Sequence, residues 1–179
     1  MNITFDPLVK LHFPMLLMWL QTPHIKAWWD QNVQWTSELI EEKFRSYTKS
    51  YKMQDGIAKK LHAYIICVDA KPIGYIQLYN AYDFPRKTPL NDLPKSLAAV
   101  DIFIGDPAYL SQNIGCQAIL LFTSQHCAPK YEYTFVDPEI ANIAAIKSYT
   151  KAGFEKIRLN ESTNEIWMLK KNTADKDYV

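Results

Sequence analysis

The strongest constraint on the fold of this chain is a change of hydrophobic period near its middle. Leu61 to Val68 and Ile73 to Tyr82 are runs rich in β-branched and aromatic residues, separated by the turn Asp69-Ala70-Lys71-Pro72. Such a pattern specifies a β-hairpin. Ahead of it, Ile3-Thr4-Phe5 reads as a short strand and Pro14 suits the first turn of a helix through Leu20. Pro23 opens a second turn carrying His24, Ile25, Trp28 and Trp29. Thr36 or Ser37 can cap a helix in which Ile40, Phe44 and Tyr47 share a face and Glu41 reaches Arg45. After the hairpin come a proline-broken loop from Asp83 to Leu97, a strand from Ala98 to Ile104 and a helix from Gly115 to Cys127. A strand from Tyr133 to Val136, a helix from Asn142 to Lys151 stopped by Gly153, and strands Phe154 to Leu159 and Ile166 to Leu169 complete the pattern. Alternating strands and helices of this kind predict an α/β fold with a mixed sheet.

Length and charge narrow the function classes. A chain of 179 residues and 20.8 kDa has the size of one domain, here residues 1–171 followed by a polar tail over residues 172–179. Net charge is +1, without the basic excess of a nucleic-acid binder. Cys67, Cys116 and Cys127 cannot all pair and lack metal-ligand spacing, which predicts a reducing compartment and no metal site. The N-terminus has an acid where a signal peptide carries basic residues, and Phe13 to Leu20 is too short to span a bilayer. The expectation is a cytoplasmic protein with no membrane partner.

Three segments could carry chemistry. Tyr109 to Cys116 follows a strand and opens a helix, and successive amides at such a helix start bind phosphate without a cationic side chain. Only Gly115 is a glycine there, although Asn113 tolerates the left-handed region. An ordinary polar loop is the simpler account of that segment alone. Next, Asp137 leaves the end of a strand, where ligands gather in open α/β sheets. Asn142 and Tyr149 lie two turns apart on one helix face, although capping and packing would explain each residue singly. Last, Asp101 interrupts the apolar strand Ala98 to Ile104, and a carboxylate there is costly unless it is paired, hydrogen-bonded or facing a wet cleft.

Together these residues resemble the GNAT superfamily of acetyl-CoA-dependent N-acetyltransferases. The whole chain is similar to the branch holding aminoglycoside 6'-N-acetyltransferases and siderophore hydroxylysine acetyltransferases. The resemblance rests on Met18-Trp19-Leu20, Pro23 to Trp29, Lys71 to Tyr79 and Val100 to Gly105. It continues through the Tyr109 to Gly115 loop, Val136-Asp137-Pro138, Asn142, and Ala145-Ile146 with Tyr149 and Lys151 to Phe154.

The resemblance implies a central twisted mixed sheet with a splayed strand pair flanked by helices, and direct transfer of acetyl to a primary amine. It implies acetyl-CoA as co-substrate, a small-molecule amine as partner, and a monomer or homodimer. Ile102, Phe103 and Ile104 would bond the pantetheine arm, and Ser111, Gln112, Asn113, Ile114, Gly115 and Cys116 the pyrophosphate. Asn142 would contact the cofactor, with Tyr149 near its sulfur. Asp101 would receive the amine's proton and Tyr149 protonate the leaving thiolate. Trp28, Trp29, Gln77, Tyr79, Asp101 and Asp137 would surround the acceptor. Leu110 stands where the family carries Arg or Gln, and Ser111 and Asn113 where glycines are usual. An N6-hydroxylysine acceptor would need Lys26 or Arg86 to hold its carboxylate, and a catalytically silent acyl-CoA-binding domain is the reading from another class.

Overall fold

The computed structural model describes residues 1–173. In chain order the elements are β1 (Ile3–Pro7), α1 (Phe13–Leu20), α2 (Pro23–Lys26), α3 (Ser37–Phe44), β2 (Tyr51–Gln54), β3 (Ile57–Val68), β4 (Lys71–Asn80), β5 (Leu97–Ile104), α4 (Ile114–Phe122), β6 (Tyr133–Val136), α5 (Ile143–Lys151), β7 (Glu155–Asn160) and β8 (Glu165–Lys171). Hydrogen-bonded strands follow the order β1-β3-β4-β5-β6-β8-β7, with β2 added to β3. The mixed α/β sheet expected from the alternation is therefore present.

Two compact units make up the chain: residues 1–77 with 102–112, and residues 78–101 with those from Asn113 onward. In the first, β1 lies antiparallel to β3, with Ile3 opposite Val68 and Phe5 opposite Ile66. β2 and β3 form a hairpin whose turn residues Asp55 and Gly56 both take positive φ, 50° and 78°. The sequence reading missed β2 and the first residues of β3. The Asp-Gly pair, the dipeptide that a two-residue primed turn favours, was the available signal. The β3–β4 turn was anticipated, and Asp69 and Ala70 hold it with φ of 48° and 66°. Thr36 caps α3 by accepting from the Leu39 amide at 3.3 Å, and Arg45 donates to Glu41 at 2.8 Å, as the spacing predicts. The core of this unit is aromatic. Phe103 stacks on Tyr75 with centroids 5.4 Å apart and meets Trp29 edge-on at 5.0 Å, while Phe44 packs edge-on to Tyr75 at 5.7 Å. Edge-to-face and offset geometries like these stabilise beyond the area they bury.

In the second unit β5 runs parallel to β6 over Leu97–Ala99 against Tyr133–Phe135. β6 and β7 both lie antiparallel to β8. Ala81, Leu97, Ala99, Phe135 and Trp167 form a buried cluster under the long loop after β4. The Tyr82 hydroxyl ties that loop down, reaching the carbonyls of Leu93 at 3.1 Å and Pro94 at 2.8 Å. Gly153, at φ 87°, ends α5 as a left-handed cap. Asn172, read from the sequence as the start of a solvated tail, is held by Thr134 and by the carbonyl of Tyr131, both at 2.8 Å. Residues 174–179 of that tail lie outside the described residues.

Candidate active site

Several titratable residues of the second unit act on one another. β5 carries Asp101 as a half-buried carboxylate on an otherwise apolar strand. β4 carries Tyr79, whose phenol is hydrogen-bonded to Asp101 and is pushed far above its ordinary value by burial and by the charge of Asp101. β6 ends at Val136, so Asp137 emerges at the carboxyl end of a parallel strand, where ligands gather in such sheets. Tyr149 projects from α5, fully enclosed at 8% exposure and packed on Phe154 at 5.6 Å. Burial, then the charges of Asp101 and Asp137, hold the Tyr149 proton on well above the usual phenol range. Thus four of the predicted residues, Tyr79, Asp101, Asp137 and Tyr149, act on one another electrostatically.

Arg86 from the long loop forms an ion pair with Asp137, a pairing that the sequence did not reveal. The guanidinium also lies 5.0 Å over the Phe135 ring, which is edge-on to Trp167 at 5.6 Å. Burial pushes the Asp137 carboxyl up, the pull of Arg86 opposes that, and Glu165 raises it further. A cavity of about 230 Å³ adjoins the pair, lined by Arg86, Thr88, Asp137, Asn160, Glu165 and Trp167 among others. Asn160 in its wall is satisfied by Thr88 at 3.0 Å and Ser162 at 2.8 Å. Sequence reasoning missed Glu165, since a carboxylate opening a strand after a polar turn carries no signal of its own.

Asn142 caps α5, its side-chain oxygen accepting from the Ala145 amide at 3.1 Å. That bond occupies one side of the carboxamide. In the predicted phosphate loop Ser111 and Asn113 adopt φ of 61° and 64°, so two side-chain-bearing residues occupy the conformation glycine would supply. No side-chain cap bonds the first amides of α4. Ile114 and Cys116 are buried, and burial pushes the Cys116 thiol up, which suits packing rather than nucleophilic attack.

Other predicted residues belong to the first unit. Ile104 on β5 has its carbonyl engaged by the His24 ring at 3.0 Å, a use of His24 that its scattered position in the sequence did not reveal. Phe103 is committed to the aromatic cluster, as is Trp29, which meets Tyr75 at 5.9 Å. Gln77 is buried, and its side-chain oxygen accepts from the Tyr75 hydroxyl at 2.6 Å. Of the tryptophan pair, Trp28 is the exposed ring, at 41%. No group of three or more His, Cys, Asp or Glu side chains able to hold a metal occurs among the described residues. No helix among them is long and apolar enough to cross a membrane.

Residues 9–161 match the family model described as an acetyltransferase (GNAT) domain. The chain belongs to the GNAT acetyltransferase family. Curated relatives include aminoglycoside N(6')-acetyltransferases type 1 from Klebsiella pneumoniae and Serratia marcescens. Each is 26% identical over 161 residues, covering 87% of this chain and 75% of the relative. Among solved structures, aminoglycoside acetyltransferase AAC(6')-Ib with coenzyme A superimposes with a TM-score of 0.79 at 22% identity, over 97% of this chain and 96% of that one. The same protein with ribostamycin and coenzyme A gives 0.81 at the same identity and coverage. An aminoglycoside N(6')-acetyltransferase from Legionella pneumophila gives 0.68 at 22% identity, over 94% and 92%. These likenesses place the acetyltransferase within the fold, and its own residues must carry the reading of its chemistry.

Proposed function

We propose that this acetyltransferase transfers acetyl from acetyl-CoA directly to a primary amine of an aminoglycoside-type acceptor. The observation that carries the reading is the half-buried Asp101, bonded to Tyr79 and acting electrostatically on a buried Tyr149 that keeps its proton. Asp101, Asp137 and Glu165 outnumber the cations Arg86 and Lys87, so the site favours a cation. An ammonium is not a nucleophile, so it first gives a proton to a water that the Asp101 carboxylate orients and stabilises as it charges, and that water passes the proton on to solvent. The amine nitrogen then attacks the thioester carbonyl, whose developing oxyanion is met by a backbone N–H of β5. Collapse breaks the C–S bond and releases the thiolate.

Tyr149 serves that leaving group as a hydrogen-bond donor. Moving its proton fully onto a thiolate of pKa about 8.5 is uphill from a phenol held above about 10. Because the folded phenol titrates above its ordinary value, its proton is lost only at higher pH, so Tyr149 gives kcat no alkaline limb below about pH 9.5. Tyr149→Phe is expected to lower kcat by about ten- to a hundredfold without changing acetyl-CoA affinity. A parent profile falling with a midpoint near pH 9 that Tyr149→Phe abolishes would contradict the assignment.

The pyrophosphate of acetyl-CoA is assigned to the main-chain amides from Ser111 to Cys116, and the cofactor also contacts Asn142. Ser111→Gly removes a Cβ from a left-handed position and is expected to stabilise the fold by up to ~1 kcal/mol while leaving acetyl-CoA binding equal or tighter. Thermal unfolding and calorimetry read the two effects. Weaker binding would mean that the Ser111 hydroxyl is itself a ligand. Buried free thiols at Cys67, Cys116 and Cys127 fit a cytoplasmic enzyme, working as a monomer or homodimer.

Release of free thiol from acetyl-CoA on mixing with an aminoglycoside panel, set against N6-hydroxylysine, tests the acceptor class. Turnover confined to N6-hydroxylysine would replace the aminoglycoside reading. The engagement of Arg86 by Asp137 weighs against that outcome, since one of the two cations expected to hold a substrate carboxylate, Arg86, already has a partner.

A further inference from the structure

A half-buried cation among the site's acids is supplied by the chain itself, beside the exposed Lys87 that lines the same cavity. Arg86 sits in the proline-rich loop after β4, only 19% of its side chain exposed, ion-paired to Asp137 and lying on the Phe135 ring. Tyr79 and Asp101 also act on it electrostatically, and Glu165 lines the cavity that Arg86 and Asp137 share. A guanidinium so placed neutralises one of three carboxylates that an acceptor with several ammonium groups would otherwise engage. Arg86 cannot be a vacant anion receptor, because Asp137 occupies it and the surrounding charge repels a second carboxylate. Nor is it a mere surface pair, given its burial and its seat on an aromatic ring.

We propose that Arg86 is a specificity-determining residue: a built-in substitute for a substrate ammonium, which an acceptor rich in amines must displace from Asp137. This rests on the amine-acceptor reading above. Arg86 therefore sets an upper limit on the number of positive charges the site takes at no cost. An acceptor with a single amine, engaged at Asp101, leaves the pair closed. A densely cationic acceptor must first break it and gains only the difference between two similar contacts. Such competition acts mainly on affinity, because it is present before the reacting amine is deprotonated.

The test compares the full-length protein with Arg86→Met, which keeps an apolar stem over Phe135, and with Arg86→Lys. Calorimetry with kanamycin, without acetyl-CoA, is expected to show about tenfold tighter binding to Arg86→Met, with Arg86→Lys between the two, as loss of one competing ion pair predicts. A glycoside carrying one primary amine should bind both proteins alike. Adding Asp137→Asn to Arg86→Met should erase the gain. The uncompensated Asp137 should also lower the thermal midpoint of Arg86→Met, and kanamycin should restore it by more than it raises the parent's. Unchanged or weaker kanamycin binding, or no binding to any variant, overturns the proposal. Tighter binding without acetyl transfer from any variant leaves Arg86 as the competing cation and overturns the reaction assignment instead. Transfer with no difference in binding does the reverse.

Discussion

Asp101→Asn is expected to reduce acetyl transfer by about 10²- to 10⁴-fold while leaving acetyl-CoA binding unchanged. The substitution is nearly isosteric, and its carboxamide oxygen can still accept from Tyr79, so the local packing of β4 on β5 survives. What disappears is the negative charge in a half-buried position, and with it the group toward which the amine's proton moves. Tyr79 and Tyr149 cannot replace it, because burial keeps both phenols protonated across the working range. The loss should fall on kcat more than on KM, since the charge matters most once the nitrogen becomes nucleophilic. Raising the pH should recover part of the lost rate, because hydroxide then removes the proton that the carboxylate no longer attracts. Steady-state kinetics with one aminoglycoside at pH 7 and pH 9, beside acetyl-CoA calorimetry, reads each component. Unchanged turnover removes Asp101 from the mechanism, and lost cofactor binding reassigns it to the fold.

The parts of this molecule that were legible in the sequence are those fixed locally. The β3–β4 hairpin followed from two apolar runs around a turn, and Gly153 marked the end of α5 by its position alone. The cost of burying Asp101 implied a partner before one was known; Tyr79 is hydrogen-bonded to it, and its charge acts on Tyr149. What stayed hidden depends on pairings across long stretches of chain. Arg86 and Asp137 are 51 residues apart, and nothing in either segment states that the loop folds its cation back onto the carboxylate. His24 reaches the carbonyl of Ile104 across 80 residues, a contact that only packed helices and strands can arrange. The ring-to-ring packing of Trp29 and Phe103 in the first unit was likewise hidden, since their positions in the sequence do not reveal that the two rings meet. The glycine-poor loop shows a subtler case. Its sequence departs from the family pattern at Ser111 and Asn113, yet the backbone keeps positive φ at both and accepts the steric cost.

The largest effect on stability is expected from Gly105→Ala. Gly105 follows β5 and donates to the Ile73 carbonyl at 2.7 Å, which holds its backbone in place. A Cβ built there would lie 2.1 Å from the Trp19 ring, with two further ring atoms at 2.5 Å, well inside van der Waals contact. Neither side can yield easily. Trp19 is 3% exposed, belongs to α1, and meets Phe103 edge-on at 6.3 Å, so moving the indole disturbs the aromatic cluster. Overpacking of a close-packed interior usually costs about 1–3 kcal/mol, and a contact this short with a rigid ring belongs at or above the upper end. For a chain of this size that is a fall in thermal midpoint of roughly 6–12 °C. Trp19→Leu would itself destabilise by opening a cavity. Combined with Gly105→Ala, however, it should cost less than the sum of the two single changes, because the new methyl group occupies space the indole has left. Additive losses in that cycle would show that the methyl clashes with something other than Trp19, and an unshifted midpoint for Gly105→Ala would show that α1 does not pack on this strand end as described.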